Sequence, residues 1–171
     1  MELIESVELA SSASSITFSS IPQTYTDLKI LISTRTTYVS VLDAIDLLPN
    51  GASGNNSLIY LRGTGSSAES GSETTNLVAY TSGASTTSNT FGNATIYISD
   101  YTSTSSKSIS TDGVGENNAT TIRGGIVATL HTGTSAFTSL EISGRNGDLV
   151  SGCTFSLYGI TAGSDGTTTV S

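Results

Sequence analysis

Ala94-Thr95-Ile96-Tyr97-Ile98-Ser99-Asp100-Tyr101 lies near the middle of this 171-residue chain. Its first, third and fifth residues are apolar, and the residues between them carry hydroxyl groups. Successive side chains of a β-strand point to opposite faces of a sheet, so this period of two predicts a strand with one buried face. β-branched and aromatic residues also favour such a half-buried, pleated surface. The stretch therefore predicts β structure.

The same alternation recurs on both sides of this stretch. Leu28, Ile30 and Ile32 point one way from one candidate strand, and Phe155 and Leu157 share a face of another near the end of the chain. The other candidate strands span residues 3–9, 16–18, 39–47, 57–62, 77–80, 107–111, 122–132 and 140–142. Leu3, Glu5, Val7 and Leu9 are expected on one face of the first.

Turn residues separate these runs. Pro49-Asn50-Gly51 is a strong turn signal because Asn and Gly both tolerate positive φ. Ser40 to Leu48 is the one candidate for a helix, but its pattern and the turn after it favour a strand. Residues 63–76 are rich in Ser and Gly without periodicity, which predicts a long surface loop. Roughly eight to ten short strands joined by such turns are typical of an all-β sandwich or barrel.

The length of the chain fits a single domain over residues 1–171. We expect residues 1–14 to form an N-terminal arm or strand that binds a partner, and residues 161–171 to form a flexible tail. The N-terminus is acidic and no apolar run approaches the roughly 20 residues of a membrane span. The sequence therefore predicts a chain made in the cytoplasm that has no membrane partner.

Composition excludes several classes of function. The chain has Lys+Arg 6 and Asp+Glu 14, a net charge of −8, one His and one Cys, while Ser and Thr supply roughly a third of it. One Cys cannot close an intramolecular disulfide or build a thiolate metal site. So acidic a chain with few cations does not suit a phosphate-gripping surface, and no nucleic-acid partner is predicted.

No residue pattern predicts a catalyst. His131 is expected to be a polar strand residue, and Cys153 a small buried hydrophobe, since no cation stands near it in sequence. Residues 63–68 match G-x-G-x-x-A, but a dinucleotide site needs a helix directly afterwards, and loop composition follows here. The match is therefore expected to be chance.

The carboxylates are candidates for a glycosidase pair, because two acids can hydrolyse a glycosidic bond. Asp43 and Asp46 are expected on opposite faces of a strand, so they cannot line one cleft there. Glu141 and Asp148 could approach each other across a turn, although nothing in the sequence sets their separation. Solvated surface acids are the favoured interpretation, and the chain is predicted not to be an enzyme.

Among metal ions, calcium is the one that this sequence could best accommodate. Residues 112–118 offer oxygen donors in an expected loop, without the twelve-residue EF-hand spacing, and such loops are more often plain turns. The glycosylation sequons at Asn55, Asn93 and Asn118 are expected by chance in a chain so rich in Ser and Thr. The sequence thus predicts no catalytic residue, no cofactor and no metal ligand.

Five phrases, in order along the chain, carry a resemblance to a known family. They are Ser20-Ile21-Pro22-Gln23-Thr24-Tyr25-Thr26-Asp27-Leu28, Tyr60-Leu61-Arg62-Gly63-Thr64-Gly65-Ser66, Ile96-Tyr97-Ile98-Ser99-Asp100-Tyr101, Glu116-Asn117-Asn118-Ala119-Thr120 and Thr154-Phe155-Ser156-Leu157-Tyr158-Gly159-Ile160. Together they resemble small virion structural proteins of tailed bacteriophages, particularly those of marine and cyanobacterial hosts. Relatives often have Trp in the strand that corresponds to residues 122–132, where His131 stands here.

The resemblance implies a jelly-roll-like antiparallel β-sandwich, assembled as a homo-trimer on the virion. The favoured function is capsid decoration: binding the outer shell, with the major capsid protein as partner. Met1 to Leu9 is expected to extend a partner's sheet edge. The alternative is a tail or head fibre module that recognises host surface glycan, with Tyr38, Tyr80 and Tyr101 as candidate stacking residues.

Overall fold

The computed structural model describes residues 1–116 and 122–161, and every regular element in these ranges is a β-strand. Residues 162–171, most of the expected tail, lie outside the described part. The strands are β1 (Glu2–Glu8), β2 (Ser15–Phe18), β3 (Asp27–Thr34), β4 (Leu42–Pro49), β5 (Asn56–Gly63), β6 (Ala68–Glu73), β7 (Leu77–Ser82), β8 (Gly92–Ile98), β9 (Lys107–Glu116), β10 (Ile122–His131), β11 (Leu140–Gly144) and β12 (Thr154–Ile160).

The strands form two antiparallel sheets, which confirms the all-β sandwich, although the described residues contain twelve strands instead of roughly eight to ten. The larger sheet has eight strands in the order β1-β12-β3-β8-β9-β10-β5-β6, and the smaller has four in the order β2-β11-β4-β7. The pairs β5–β6, β4–β7 and β3–β8 nest inside one another, and they alternate between the two sheets. A chain folded back on itself in this way has the winding of a jelly roll.

The main core lies between the two sheets. Alternate residues of β3 and β8, including Ile30 and Ile96, have no exposed surface, as the sequence pattern predicted. Ile45 on β4 and Ile142 on β11 close the core from the smaller sheet and are also fully buried. A second, smaller cluster lies farther along, where β4 and β7 face β5 and β10; its buried members are Ala44, Leu58, Leu77, Tyr80 and Val127.

Three expectations about the strands were wrong. Residues 68–73 form β6 instead of part of a surface loop, paired along β5 from Leu58↔Glu73 to Gly63↔Ala68. β9 does not end at Asp112 but continues to Glu116. In β1 the register against β12 shifts between Leu3 and Glu5, so Ile4 packs on the core while Leu3 is 53% exposed.

Two of the phrases that carry the resemblance, residues 20–28 and 96–101, meet at one end of the larger sheet. The Asp27 carboxylate accepts hydrogen bonds from the Tyr97 hydroxyl at 2.6 Å and from the backbone N–H of Asp100 at 2.8 Å. The Tyr101 hydroxyl donates to the carbonyl of Pro22. These bonds fix the turn after β8 against the entry to β3, and the bond from Asp100 satisfies a backbone N–H of the turn.

Candidate functional site

An apolar stripe crosses the outer face of the larger sheet, away from the core. Ile59 and Leu61 on β5 and Ile126 and Leu130 on β10 are 63%, 53%, 57% and 48% exposed. Leu61 lies directly opposite Ile126, and Ile59 opposite Ala128. Directly opposed residues of an antiparallel pair share a face, so these side chains form one continuous surface.

Small residues between the large ones make this surface concave. The central hollow, of about 360 Å³, is lined by residues of β5, β9 and β10, among them Ser110 and Ala128. A hollow of about 320 Å³ adjoins it through Ile59 and Ala128. A third, of about 340 Å³, adjoins it through Leu61 and Ile126. We call these three connected hollows the β5–β10 groove.

The β5–β10 groove carries little charge. Asp112 and Arg62 are the charged residues in its lining, in a chain that has fourteen acidic residues. Both faces of β5 and β10 are apolar, since Leu58 and Val127 are buried in the second core cluster on the other face. Strands that are apolar on both faces are usually covered on both faces. Here one of the two is exposed, as in many protein–protein contact surfaces.

The sequence carries a signal for this groove that alternation alone does not reveal. Leu58-Ile59-Tyr60-Leu61 and Ile126-Val127-Ala128 are apolar runs without alternation. Alternation identifies a strand with one buried face, whereas a continuous run indicates two apolar faces. Only the three-dimensional pairing of β5 with β10 shows that the two outer faces join.

His131 lies on a strand, β10, as predicted, and its side chain belongs to a buried cluster. Its side chain is 3% exposed, and its Nδ1 lies 2.7 Å from Oδ1 of Asn56. Because an amide oxygen only accepts, Nδ1 carries the proton. The imidazole also meets the Phe137 ring edge-on, with centroids 5.0 Å apart. Burial, and then the charge of Lys107, lower the pKa of His131.

Lys107 is the cation of this cluster, directly opposite His131 in the β9–β10 pairing. It is 1% exposed, its Nζ donates to the carbonyl of Ser105 at 3.0 Å, and it lies 4.9 Å from the centre of the Phe137 ring. Burial lowers the pKa of Lys107. The cluster offers no nucleophile, and we interpret it as structural.

The expectation of solvated surface acids was wrong for Asp43, which the fold buries among hydrogen-bond donors. Asp43 is 4% exposed and accepts hydrogen bonds from Thr36, the backbone of Ala44 and Asn146. Asp46 forms an ion pair with Arg145 at 2.6 Å. Both carboxylates are thus held by their own partners.

The other predicted pair is Glu141 and Asp148. Glu141 lies in β11 opposite Thr17 and Leu48. Asp148 lies beyond the end of β11, where its backbone N–H donates to the Thr37 hydroxyl at 2.9 Å. No hydrogen bond between described residues joins the two acids.

The candidate calcium loop is largely strand. Asp112 to Glu116 belong to β9, with Asp112 opposite Ile126 on one side and Thr95 on the other. Residues 117–118 lie outside the described part. Among residues 1–116 and 122–161, no group of three or more His, Cys, Asp or Glu could hold a metal ion. The G-x-G-x-x-A match at 63–68 is the turn of the β5–β6 hairpin, so no helix follows it.

Two of the three candidate stacking tyrosines are buried. Tyr101 has no exposed surface and Tyr80 is 8% exposed, so neither ring is open to stacking on a sugar. Tyr38 is 38% exposed. Cys153 is fully buried, as predicted; its Sγ lies 3.3 Å from both the backbone N–H and the carbonyl of Arg35, and burial raises its pKa.

The N-terminal segment is part of the domain's own sheet. β1 pairs with β12 from Glu2↔Gly159 to Glu8↔Thr154, and Ala13 forms a bridge with Leu149. Val7 and Leu9 pack against the core. The other edge of β1 has no neighbouring strand in the described part of the chain, so the expected extension of a partner's sheet stays a prediction for that edge.

An arginine-lined cleft between the two sheets has no counterpart in any sequence pattern. It has a volume of about 240 Å³ and lies beside Tyr80; its charged lining residues are Asp43, Arg62, Glu73, Arg123 and Arg145. These residues come from β4, β5, β6, β10 and the segment after β11. They are as far apart as 102 positions in sequence, from 43 to 145, so no local motif could have grouped them.

No described helix is long and apolar enough to cross a membrane. No protein-family model, no curated protein and no solved structure matches this chain. Its function is therefore inferred from the chemistry of its surface and from the resemblance of its phrases.

Proposed function

We propose that this chain is a structural protein of a tailed bacteriophage virion, a decoration protein that binds the outer surface of the capsid and stabilises it. The observation that carries the proposal is the β5–β10 groove, an exposed apolar surface on a small β-sandwich. We assign this groove to docking on the major capsid protein. The phage family is supported by the resemblance of the five phrases.

The chemistry of the groove suits a contact with a large protein surface. Leu61 is 53% and Ile126 is 57% exposed, and burying one such side chain stabilises a contact by about 1.5–3 kcal/mol. The low charge of the groove also limits the desolvation cost of docking. A protein that binds only the assembled shell stabilises that shell by its binding free energy.

The test is rebinding of the purified protein to capsids from which it has been removed. Leu61→Ser is expected to weaken binding by roughly ten- to hundredfold, the equivalent of one buried leucine contact. Leu31→Ser is the matched control, because Leu31 lies on the outer face of the same sheet, on β3, and is 37% exposed. Co-sedimentation with capsids measures the affinity.

Equal binding of the Leu61→Ser and wild-type proteins would overturn the docking surface. The heat stability of the capsids is the second measurement, since bound decoration protein should raise the temperature at which they open. Deletion of residues 1–9 is a poorer test, because it strips Val7 and Leu9 from the core and β1 from β12.

The number of copies per virion separates this proposal from the fibre module. A decoration protein covers the shell in hundreds of copies, whereas a fibre tip is present in a handful. A cryo-electron microscopy map of the source particle counts the copies directly.

The proposed homo-trimer is tested separately, by sedimentation of the free protein. The Leu61→Ser variant should stay trimeric if the groove faces the shell. A monomeric variant would assign the groove to the trimer interface instead.

A further inference from the structure

The cleft between the sheets holds half of the cations of an acidic protein, together with the carboxylates of Asp43 and Glu73. Arg62, Arg123 and Arg145 line it, three of the six Lys and Arg residues of a chain whose net charge is −8. It opens on the inner face of β5 and β10, whereas the β5–β10 groove lies on their outer face. Arg62 lines both surfaces, and the other residues of the cleft lie outside the lining of the groove.

Two of the three arginines already have carboxylate partners. Nε of Arg62 lies 2.7 Å from Oε2 of Glu69, and a second nitrogen donates to the Tyr80 hydroxyl. Arg145 binds Asp46 through Nε and Nη2, at 3.0 and 2.6 Å to the same oxygen. Their charges are balanced within the fold.

Arg123 is different. Its guanidinium carbon lies 4.9 Å from the centre of the Tyr80 ring, and within residues 1–115 and 122–161 it pairs with no carboxylate. Its Nε is buried and has no hydrogen-bond partner in that part of the chain. A buried donor without an acceptor is costly, and it calls for a partner from outside the fold, such as a water, an ion or a ligand. The Tyr80 ring holds the guanidinium by a cation–π contact and leaves its N–H groups to be used.

We propose that this cleft binds an acidic sugar, with its carboxylate on the guanidinium of Arg123. A guanidinium presents its donors in a planar fork that matches a carboxylate. Arg123 supplies one unpaired positive charge, whereas the carboxylates of Asp43 and Glu73 in the same cleft oppose any anion, a doubly charged phosphate more than a singly charged carboxylate.

The rest of the lining suits the ring of a sugar. Glu73 and Asn146 supply acceptors and a donor for hydroxyl groups, and Leu42 and Leu77 supply an apolar wall. The volume of about 240 Å³ lies below the roughly 300–1,000 Å³ of pockets for drug-sized ligands, which suits one ring. The ligand class is therefore a uronate or similar carboxylate-bearing monosaccharide unit.

The experiment titrates the full-length protein with glucuronate, glucose and acetate, monitored by two-dimensional NMR of the backbone amides. Glucuronate and glucose differ in the carboxylate alone, and acetate carries the carboxylate without the ring. We expect glucuronate to bind with a Kd of about 1–10 mM, with shifts at cleft residues, and glucose and acetate to bind at least about tenfold more weakly.

Arg123→Gln is expected to weaken glucuronate binding by roughly ten- to hundredfold, the loss of a charge-assisted pair. Lys29→Gln is the matched control: it removes the same charge from β3, outside the cleft, and should bind glucuronate as the wild type does. The amide spectrum of each variant reports its folding.

Several outcomes would overturn the proposal. Equal binding of glucose and glucuronate would show that the carboxylate is not recognised. Acetate binding as tightly as glucuronate would show that the sugar ring is not recognised. Inorganic phosphate displacing glucuronate at lower concentration would assign the cleft to phosphate instead. Equal losses of glucuronate affinity in Arg123→Gln and Lys29→Gln would show that only the net charge of the protein matters. The comparison of the three ligands on the wild-type protein stands even if Arg123→Gln does not fold.

Discussion

At the scale of single residues, the buried polar cluster on β9 and β10 decides how the domain responds to acid. Asn56 accepts the proton on Nδ1 of His131, and its own Nδ2 donates to Oδ1 of Asn76 at 3.1 Å. The chain of amides therefore fixes the orientation of the imidazole and the tautomer of its neutral form, with the proton on Nδ1. A second proton on the ring would place another charge next to Lys107 in a site that is closed to water.

We predict that the domain loses stability as the pH falls through 6.5, the usual pKa of His. Burial and Lys107 lower the pKa of His131 in the folded protein, so the unfolded chain takes up the proton first. The contribution of His131 to the free energy of unfolding is complete above pH 6.5. It declines as the pH falls toward the pKa of the folded protein, by at most about 1.4 kcal/mol per pH unit for one proton. Thermal unfolding between about pH 7.5 and about pH 5.5 measures it, above the range where most carboxylates titrate.

His131→Gln supplies the control, because this is the only histidine in the chain. The melting temperature of this variant should change little over the same pH range, whatever its absolute stability. A wild-type profile that matches the variant's would contradict the assignment of the proton to this cluster.

At the scale of elements, the sequence predicted strands best where one face is buried and the other is not. The period of two identified β3, β8 and β12, and the structure buries the residues that the pattern placed inward, such as Leu28 and Phe155. β6 could not be identified in this way because its sequence, Ala68 to Glu73, has no apolar period at all. It is a strand because β5 provides its ladder and Arg62 binds Glu69 across the pair.

The register of strand pairing could also not be predicted from the sequence at two edges. The irregularity in β1 places Ile4 inward, and another between Ile45 and Asp46 shifts the pairing of β4 with β7. A β-bulge adds one residue to one strand of a pair and reverses the face of every residue beyond it. Nothing in a single apolar pattern reveals where such a residue is inserted.

We predict that Gly159→Ala destabilises the domain by about 1–3 kcal/mol, the usual cost of an overpacked site. A Cβ on Gly159 would come closer than 3.0 Å to the ring of Tyr25, at the atoms nearest its backbone. Gly63→Ala is the matched control, since a Cβ there meets nothing within 4 Å and its φ needs no glycine. Urea unfolding compares the two variants.

Tyr25→Ala in combination with Gly159→Ala identifies the cause. If the ring is what the added methyl group meets, the cost of Gly159→Ala should shrink in the Tyr25→Ala background. An undiminished cost there, or equal costs for Gly159→Ala and Gly63→Ala, would contradict this account of the contact. Both glycines lie in phrases that carry the resemblance, so the two variants also show which of the two phrases has a packing role.

At the scale of the whole molecule, charge and apolar surface lie in different places. The composition correctly indicated a structure with few cations, but it could not indicate that half of them line one cleft. That arrangement needs strands from both sheets to meet, and the β5–β10 groove likewise needs two strands that are far apart in sequence. Both surfaces are products of topology, which a sequence pattern read strand by strand does not contain.

We predict that binding of this protein to capsids is unchanged or strengthened when salt rises from about 0.05 M to about 0.5 M. The proposed contact is apolar, and burial of apolar surface is not screened by ions. Neighbouring copies on a shell, each with a net charge of −8, repel one another, and salt weakens that repulsion. Co-sedimentation at several salt concentrations gives the dependence of affinity on salt.

The Leu61→Ser variant should bind more weakly at each concentration, with the same dependence on salt as the wild type, because the substitution removes apolar area and no charge. Binding that falls steeply with salt would mean that charged groups hold the protein on the shell, and the β5–β10 groove would then lose its assigned role.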